Sequence, residues 1–263
     1  MYAVCMRAIS LQFSGFAGRY ANLSQCFWLL NEAWYRAGGR AHFLRPRARH
    51  CPAGPKLPAR SARDGDRLKA GDDRAARVRA LYPVRAWLRD GSEIVIRPIG
   101  PEDAASEQAF TQALSAESRY FRFMSTLREL PADMLHRFTH PDFDREVALI
   151  ALAGAPTQRR QIGVARCIAK DAQLDAEFAV VVADDWQRRG VGKRLLCELM
   201  RAARAAGFNQ LWGDVLASNQ RMLALMRTLG FAISNAPEDA MLRRVVKNIG
   251  DESAAHKDLM HAR

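Results

Sequence analysis

The fold is decided by Phe178-Ala-Val-Val-Val182 and by the stretch that follows it, Gln187-Arg-Arg-Gly-Val-Gly-Lys193. An apolar strand pattern runs into a bend with two glycines, and an amphipathic helix is predicted over residues 191–206. The first turn of such a helix offers N–H groups without intrahelical acceptors and the positive end of the helix dipole. The pattern therefore predicts a nest for a di-anion such as a pyrophosphate. Three cationic side chains surround it: Arg188, Arg189 and Lys193.

The sequence on both sides of the bend alternates between strand and helix patterns. Upstream it predicts a strand at 94–99, three short helices between residues 101 and 138, and strands at 147–153, 161–169 and 176–182. Downstream it predicts a strand at 211–216, a helix at 218–229, and closing strands at 231–233 and 241–246. This order indicates a mixed α/β sheet with one parallel strand pair around the late helices and an antiparallel hairpin before them.

The basic charge is concentrated in the N-terminal third. The net charge is +12, but residues 1–90 hold 17 Lys/Arg against 6 Asp/Glu, whereas residues 91–263 hold 23 against 22. Residues 1–80 show little periodic pattern, and residues 41–79 are rich in Arg, Ala, Pro and Gly, which predicts a disordered extension. A dispensable extension is the favoured interpretation, and a transit peptide or a tail that contacts nucleic acid are the alternatives. The folded domain is predicted over 82–248, with a polar tail at 249–263.

The cysteines argue against a disulfide framework or a structural zinc site, because they are scattered and none forms a CxxC pair: Cys5, Cys26, Cys51, Cys167 and Cys197. This usage predicts a reducing, cytoplasmic location. The sequence contains no run of about 18 or more apolar residues, which argues against a membrane-spanning helix. His136 and His140 are four residues apart, but no third ligand accompanies them, so we predict no metal.

Two other phosphate-binding motifs are excluded at the bend. A Walker loop requires Ser or Thr after its Gly-Lys pair, whereas Arg194 follows Lys193. A dinucleotide fingerprint requires a third glycine where Leu195 stands.

Residues 82–248 resemble the GCN5-related N-acetyltransferase (GNAT) superfamily. Its members have a Gln/Arg-x-x-Gly-x-Gly/Ala bend between a strand and a helix, and residues 187–192 match that pattern in full. Asn219 and Leu229-Gly230-Phe231 stand at the family's distance downstream.

Within that superfamily, two stretches are similar to bacterial protein lysine acetyltransferases of the Pat type. They are Ala176–Val182 and Asn219–Leu225. Pat proteins often carry a further regulatory domain, for which residues 1–80 are too short.

The resemblance implies that the bend binds the pyrophosphate of acetyl-CoA, the acyl donor. The residues expected to do so are Gln187, Arg188, Arg189, Gly190, Val191, Gly192 and Lys193. Val180 and Val182 would offer backbone groups to the pantetheine arm, which requires their strand to part from its parallel neighbour. Asn219 either reaches the cofactor arm, as the family position implies, or simply caps its helix.

Glu177 is the candidate general base, because transfer to an amine requires removal of a proton from a nitrogen whose pKa is ~10.4. It lies beside an otherwise apolar strand, where a carboxylate is costly unless it is used or paired. Its position matches the catalytic glutamate of Pat-type proteins. The alternatives are a glutamate that faces solvent or one that pairs with Arg166. Met226 stands where many family members have a tyrosine that protonates the leaving thiolate, so water is the expected proton source.

These residues predict an acetyl-CoA-dependent N-acetyltransferase whose acceptor is a protein lysine. A small-molecule amine is the alternative acceptor. A non-catalytic acyl-CoA-binding regulatory module is the alternative of a different class.

Overall fold

A computed structural model describes residues 73–125, 127–169, 174–237 and 239–250. Most of the predicted extension, up to residue 72, and the tail from residue 251 lie outside the described residues. Residues 73–79, which we expected in the extension, are instead helical. Val78 is fully buried there, and Arg77 Nε donates to the Ala205 carbonyl at 3.0 Å. The folded part of the chain therefore begins before Tyr82.

In the described part of the chain, eight strands form one sheet in the order β1-β2-β3-β4-β5-β6-β8-β7. The strands are β1 Val84–Trp87, β2 Glu93–Pro98, β3 Glu146–Ala153, β4 Arg160–Ala169, β5 Asp175–Val182, β6 Gln210–Leu216, β7 Ala232–Ala236 and β8 Asp239–Asn248. All neighbours pair antiparallel except β5 and β6, which are parallel. The predicted mixed sheet with one parallel pair is confirmed.

After β2, five α-helices accompany the sheet within the described residues: α1 Ala104–Ala113, α2 Ala116–Phe123, α3 Ala132–Thr139, α4 Val191–Ala205 and α5 Gln220–Thr228. Each of them was predicted. The strand β1 was not, because it has only four residues and lies at the sheet edge, although its alternating pattern before the Asp90-Gly91 turn was a usable signal. Within the described residues, no helix has the length and apolar character needed to span a bilayer.

The two faces of the sheet are covered by different helices. The back face carries Leu149, Ala165, Phe178 and Val180, which pack in one core with α4 and α5. The front face carries Ala148, Ile150, Val164 and Val181, which pack with Phe110 of α1 and with Leu114 directly after that helix. Successive residues of a strand point to opposite faces, so residues 175, 177, 179 and 181 of β5 belong to the front face.

Gly163 of β4 lets α4 approach the back face closely. A Cβ at this position would lie 2.8 Å from Leu195 Cδ1 and 3.2 Å from the Val181 carbonyl oxygen. Leu195 is fully buried, so its methyl group has little room to move.

Gly163→Ala should therefore lower the free energy of unfolding by about 1–3 kcal/mol, the usual cost of overpacking a core. Urea unfolding measures this change. In a Leu195→Ala background the same substitution should cost less, because the colliding methyl group is gone. Equal costs in the two backgrounds would contradict the close approach of Leu195.

The connection from β5 to α4 is held by a set of hydrogen bonds on Asp184, which we call the Asp184 clasp. Its carboxylate accepts from the Ser115 backbone N–H at 2.8 Å, the Ser115 hydroxyl at 2.8 Å and the Ser118 hydroxyl at 2.7 Å. Gln187 Nε2 donates to the Val182 carbonyl and to Ser118 Oγ, both at 3.1 Å. The clasp therefore ties the start of α2 to the residues that lead into the bend.

These hydrogen bonds change the acidity of the clasp. Partial burial raises the pKa of Asp184, but the hydrogen bonds from Ser115 and Ser118 outweigh it and hold the pKa below its ordinary value. A lowered pKa in the folded state stabilises the fold above the unfolded pKa of ~3.9, and this contribution disappears as the pH falls through the folded value.

Asp184→Ala should lower the free energy of unfolding by about 1–2 kcal/mol at pH 7, because the N–H and O–H donors of Ser115 and Ser118 lose a charged acceptor. The effect is modest because solvent partly screens this carboxylate. The difference from wild type should shrink as the pH falls below ~3.9. Asp185→Ala is the matched control, because that carboxylate pairs with Arg160 at the exposed surface and its loss should cost under about 0.5 kcal/mol. Equal losses for the two variants in urea unfolding would refute the clasp.

Candidate functional site

The bend between β5 and α4 contains two residues in the left-handed region. Arg188 has φ +64° and Gly190 has φ +97°. A Cβ at Gly190 would meet nothing within 4 Å, so glycine serves the backbone conformation there rather than a lack of space. Arg188 adopts this conformation at a cost of about 1 kcal/mol, a strain typical of functional turns. Left-handed residues of this kind are typical of the turns that form anion nests, and the predicted binding of a pyrophosphate at this bend stays a prediction.

The cations around the bend are not equivalent. Arg189 Nε donates to Asp90 Oδ2 at 2.5 Å and its Nη2 donates to Ser92 Oγ at 2.6 Å. Its guanidinium also lies 3.9 Å from the ring centroid of Trp186. Arg189 therefore joins the bend to the turn between β1 and β2. Among the described residues, Arg188 and Lys193 form no ion pair with a carboxylate.

An opening between β5 and β6 lies next to the bend. The two strands pair only from Asp175–Glu177 to Gln210–Trp212, although β5 continues to Val182 and β6 continues to Leu216. The side chains of Val180 and Val182 are fully buried on the back face. The backbone of Val180 and Val182 lies along the edge of β5 that no longer pairs with β6. The two strands therefore separate at this point, as the sequence analysis expected.

Glu177 lies at the last paired position before this opening, opposite Trp212 of β6 and Ile168 of β4. Its side chain belongs to the front face and has no exposed surface. The alternative that Glu177 faces solvent is therefore wrong.

Arg166 shares the front face with Glu177, because it stands opposite Ala179. Its Nη1 donates to Glu146, its Nη2 donates to the Phe138 carbonyl at 2.6 Å, and its guanidinium lies 4.1 Å from the Phe138 ring centroid. The hydrogen bonds that the structure gives Arg166 thus lead away from Glu177 and towards β3 and α3.

The downstream residues have structural contacts. Asn219 is buried and its Oδ1 accepts from the Met222 N–H at 3.1 Å, so it caps α5, as one of the two interpretations predicted. Met226, which stands at the position of the family's tyrosine, is fully buried. His136 and His140 stack at 3.8 Å, and among the described residues no cluster of three metal-binding side chains occurs.

One functional candidate was missed in the sequence. Asp214 of β6 is fully buried and accepts two hydrogen bonds from Arg244 of β8, from Nε at 2.7 Å and from Nη2 at 3.2 Å. Arg244 also lies 4.4 Å from the ring centroid of Trp212. The signal was available, because Asp214 is an acid inside an apolar strand, the same observation that singled out Glu177.

Comparison with known proteins identifies the family. Residues 111–231 match the acetyltransferase (GNAT) family. An acetyltransferase of Pseudomonas aeruginosa is 33% identical over 153 residues, which cover 58% of this chain and 82% of that protein. Acetyltransferase Pat of Mycolicibacterium smegmatis is 29% identical over 153 residues, covering 57% of this chain but only 44% of that longer protein.

The fold comparison agrees with the sequence comparison. The crystal structure of the GNAT domain of S. lividans PAT matches with a TM-score of 0.59 and 30% identity, over 64% of this chain and 98% of that domain. A family bend, a matching sheet and relatives of this similarity lead to one conclusion: the chain belongs to the GNAT family and is an acetyl-CoA-dependent N-acetyltransferase.

Proposed function

We propose that the enzyme transfers the acetyl group of acetyl-CoA directly to the side-chain amine of a protein lysine, with Glu177 as the general base. The observation that carries the proposal is the place of Glu177, a fully buried carboxylate at the point where β5 and β6 begin to part. A carboxylate in such a place is costly to the fold, which favours a chemical role.

The donor would bind on the bend and along β5. Backbone N–H groups from Arg188 to Lys193 and the dipole of α4 would hold the pyrophosphate. The edge of β5 at Val180 and Val182 would pair with the amides of the pantetheine arm as an added strand does. This arrangement brings the thioester to the opening beside Glu177.

The reaction would then need one proton acceptor and one proton donor. The acceptor nitrogen attacks the thioester carbonyl carbon, and Glu177 takes the nitrogen's proton directly or through water. Backbone N–H groups near Val180 would stabilise the oxyanion. When the carbon–sulfur bond breaks, the thiolate, of pKa about 8.5, takes a proton from water, since Met226 offers none.

A protein acceptor is supported by the relatives. The chain resembles two proteins named Pat, and over 81 residues it is 36% identical to the [ribosomal protein bS18]-alanine N-acetyltransferase of Salmonella typhimurium, whose name gives a protein amine as acceptor. Cys167 and Cys197 are buried and form no disulfide within the described residues. A reducing cytoplasm, which we propose as the location, would keep such thiols reduced.

Glu177→Gln should lower kcat with a lysine peptide about 100-fold or more at neutral pH, the usual contribution of a general base. The affinity for acetyl-CoA should stay within about twofold, because the bend is untouched. Transfer from labelled acetyl-CoA measures the rate, and free amino acids and a polyamine serve as competing acceptors.

Glu198→Gln is the matched control for loss of a buried carboxylate. Glu198 lies on α4 and pairs with Arg194 and Arg201, so its substitution should leave the rate near wild type. A Glu177→Gln enzyme as active as wild type over the whole pH range would remove Glu177 from the base role. Binding of acetyl-CoA without transfer to any acceptor would favour the regulatory module instead.

Arg188→Ala should weaken acetyl-CoA binding about tenfold, the loss of one phosphate contact. Arg189→Ala should change the binding less than about threefold, because that guanidinium is already held by Asp90 and Ser92. Calorimetric titration at low and high salt separates the two variants. The salt dependence of acetyl-CoA binding should become weaker in Arg188→Ala, which loses a phosphate contact, and should stay near that of wild type in Arg189→Ala. A larger loss for Arg189→Ala would show that Arg189 leaves Asp90 for the ligand.

A further inference from the structure

The helix α2 lies over the front face of β5, next to the bend. At the start of α2, Ser115 and Ser118 donate to Asp184, which follows β5 by two residues. Along its length α2 contacts β5, and Phe121 packs against the core of the front face. The eight residues of α2 span about 12 Å, so this one helix can reach from the bend to the middle of β5.

At its other end, α2 meets side chains that lie near Glu177. The Arg122 guanidinium lies 5.9 Å from the Phe138 ring centroid, and the Arg166 guanidinium lies 4.1 Å from the same centroid. Arg166 stands opposite Ala179, which is the next front-face residue of β5 after Glu177. One short helix therefore contacts both the residues that lead into the bend and the group of side chains next to the candidate base.

The buried side chains of α2 are polar. They are Ser118 and Arg122, which are four residues apart and therefore share one face of the helix. The helix α4, by contrast, buries leucines such as Leu195 and Leu199. Apolar contact does not depend on direction, whereas a hydrogen bond weakens steeply as its distance and angle change. The position of α2 over β5 therefore depends on the hydrogen bonds at its start.

Ser118 connects these hydrogen bonds to the bend. Its hydroxyl donates to Asp184 Oδ1 at 2.7 Å and accepts from Gln187 Nε2 at 3.1 Å. Gln187 also donates to the Val182 carbonyl at 3.1 Å, and it directly precedes Arg188, where the proposed pyrophosphate site begins. A ligand that fixes the backbone at Arg188 thus fixes the neighbouring residue whose side chain bonds to Ser118.

We propose that Ser118 is a positioning residue that couples the donor site at the bend to the acceptor site beside Glu177. The inference rests on the proposed function, with the pyrophosphate at the bend and the amine at Glu177. Donor binding fixes Gln187 and, through Ser118, holds α2 where it forms one wall of the acceptor site. The two substrates then bind cooperatively, and each raises the affinity for the other by the same factor.

Hydrogen exchange of the full-length protein tests the first half of this coupling without any acceptor. Saturating CoA should slow the amides of α2 about tenfold, together with those of the bend, because a helix held at its start opens less often. In Ser118→Ala, CoA should still slow the bend amides but leave those of α2 within about twofold of their rate in the free enzyme. The readout is the ratio of the rates with and without CoA, which a loss of stability common to both states does not change.

Calorimetry with a lysine peptide tests the second half, with CoA as a ligand that carries the pyrophosphate and transfers no acetyl group. The wild-type enzyme should bind the peptide about tenfold more tightly when CoA is present, and Ser118→Ala should reduce this ratio to within about twofold of unity. Ser118→Thr keeps a hydroxyl and should restore the ratio.

Ser106→Ala is the matched control for loss of a serine hydroxyl from a helix on the front face. Ser106 lies on α1, and its hydroxyl donates to Gln161 Oε1 at 3.1 Å, outside the Asp184 clasp. This control should keep both wild-type ratios, that of the exchange rates and that of the peptide affinities.

The outcomes separate the coupling from the proposed function. Slowed exchange at the bend with unchanged exchange in α2 would overturn the coupling and leave the proposed donor site intact. Wild-type ratios in Ser118→Ala would remove Ser118 from its role. Unchanged exchange at the bend, together with no binding of CoA, would reject the proposed donor site and the coupling with it.

Two further results are decisive where a variant or the peptide fails. If Ser118→Ala does not fold, Gln187→Met breaks the same link from the other side, and wild-type ratios in that variant would overturn the inference. If no peptide binds while CoA still slows the α2 amides, the link from the bend to α2 is retained and the protein acceptor is rejected.

Discussion

The site depends on two parallel strands that pair at three positions and then part. Such an opening exposes backbone groups, and it is stable only because each strand keeps its other neighbour. β5 remains paired with β4 from Ala176 to Val182, and β6 remains paired with β8 along its whole length. The divergence also fixes where the chain must turn. After Val182 the chain leaves the sheet, and the Asp184 clasp ties it to the start of α2 before the bend begins.

The back face of β5 is part of the apolar core, whereas its front face carries Glu177, the proposed general base. Phe178, Val180 and Val182 are fully buried against α4 and α5, and burial of that kind contributes about 1.5–3 kcal/mol for each large apolar side chain. The front face instead buries charges. Burial raises the pKa of Glu107, although Arg166 and a hydrogen bond from Gln161 oppose this shift. Apolar packing on the back face offsets the cost of holding carboxylates on the front face.

Much of this could be predicted from the sequence, because it depends on residues close together in the chain. The strand, the glycine bend and the helix of residues 176–206 follow from periodicity, and Glu177 stands out as an acid in an apolar strand. The pairing of Arg189 with Asp90 joins residues 99 positions apart, and that of Asp184 with Ser115 joins residues 69 apart. Such contacts follow from the sheet order and leave no local pattern. Asp214 did leave one, but its partner Arg244 is fixed only by the register of β6 with β8.

The pairing of Arg189 also explains how three cations coexist at one bend. Adjacent guanidinium groups repel each other, and the left-handed backbone at Arg188 already costs about 1 kcal/mol. Asp90 neutralises one charge, and its own pKa falls to about 2 under the hydrogen bonds from Ser92 and Arg189. This pair therefore persists throughout the physiological pH range. In the proposed donor complex, Arg188, Lys193 and the dipole of α4 would then be the positive charges that face the pyrophosphate.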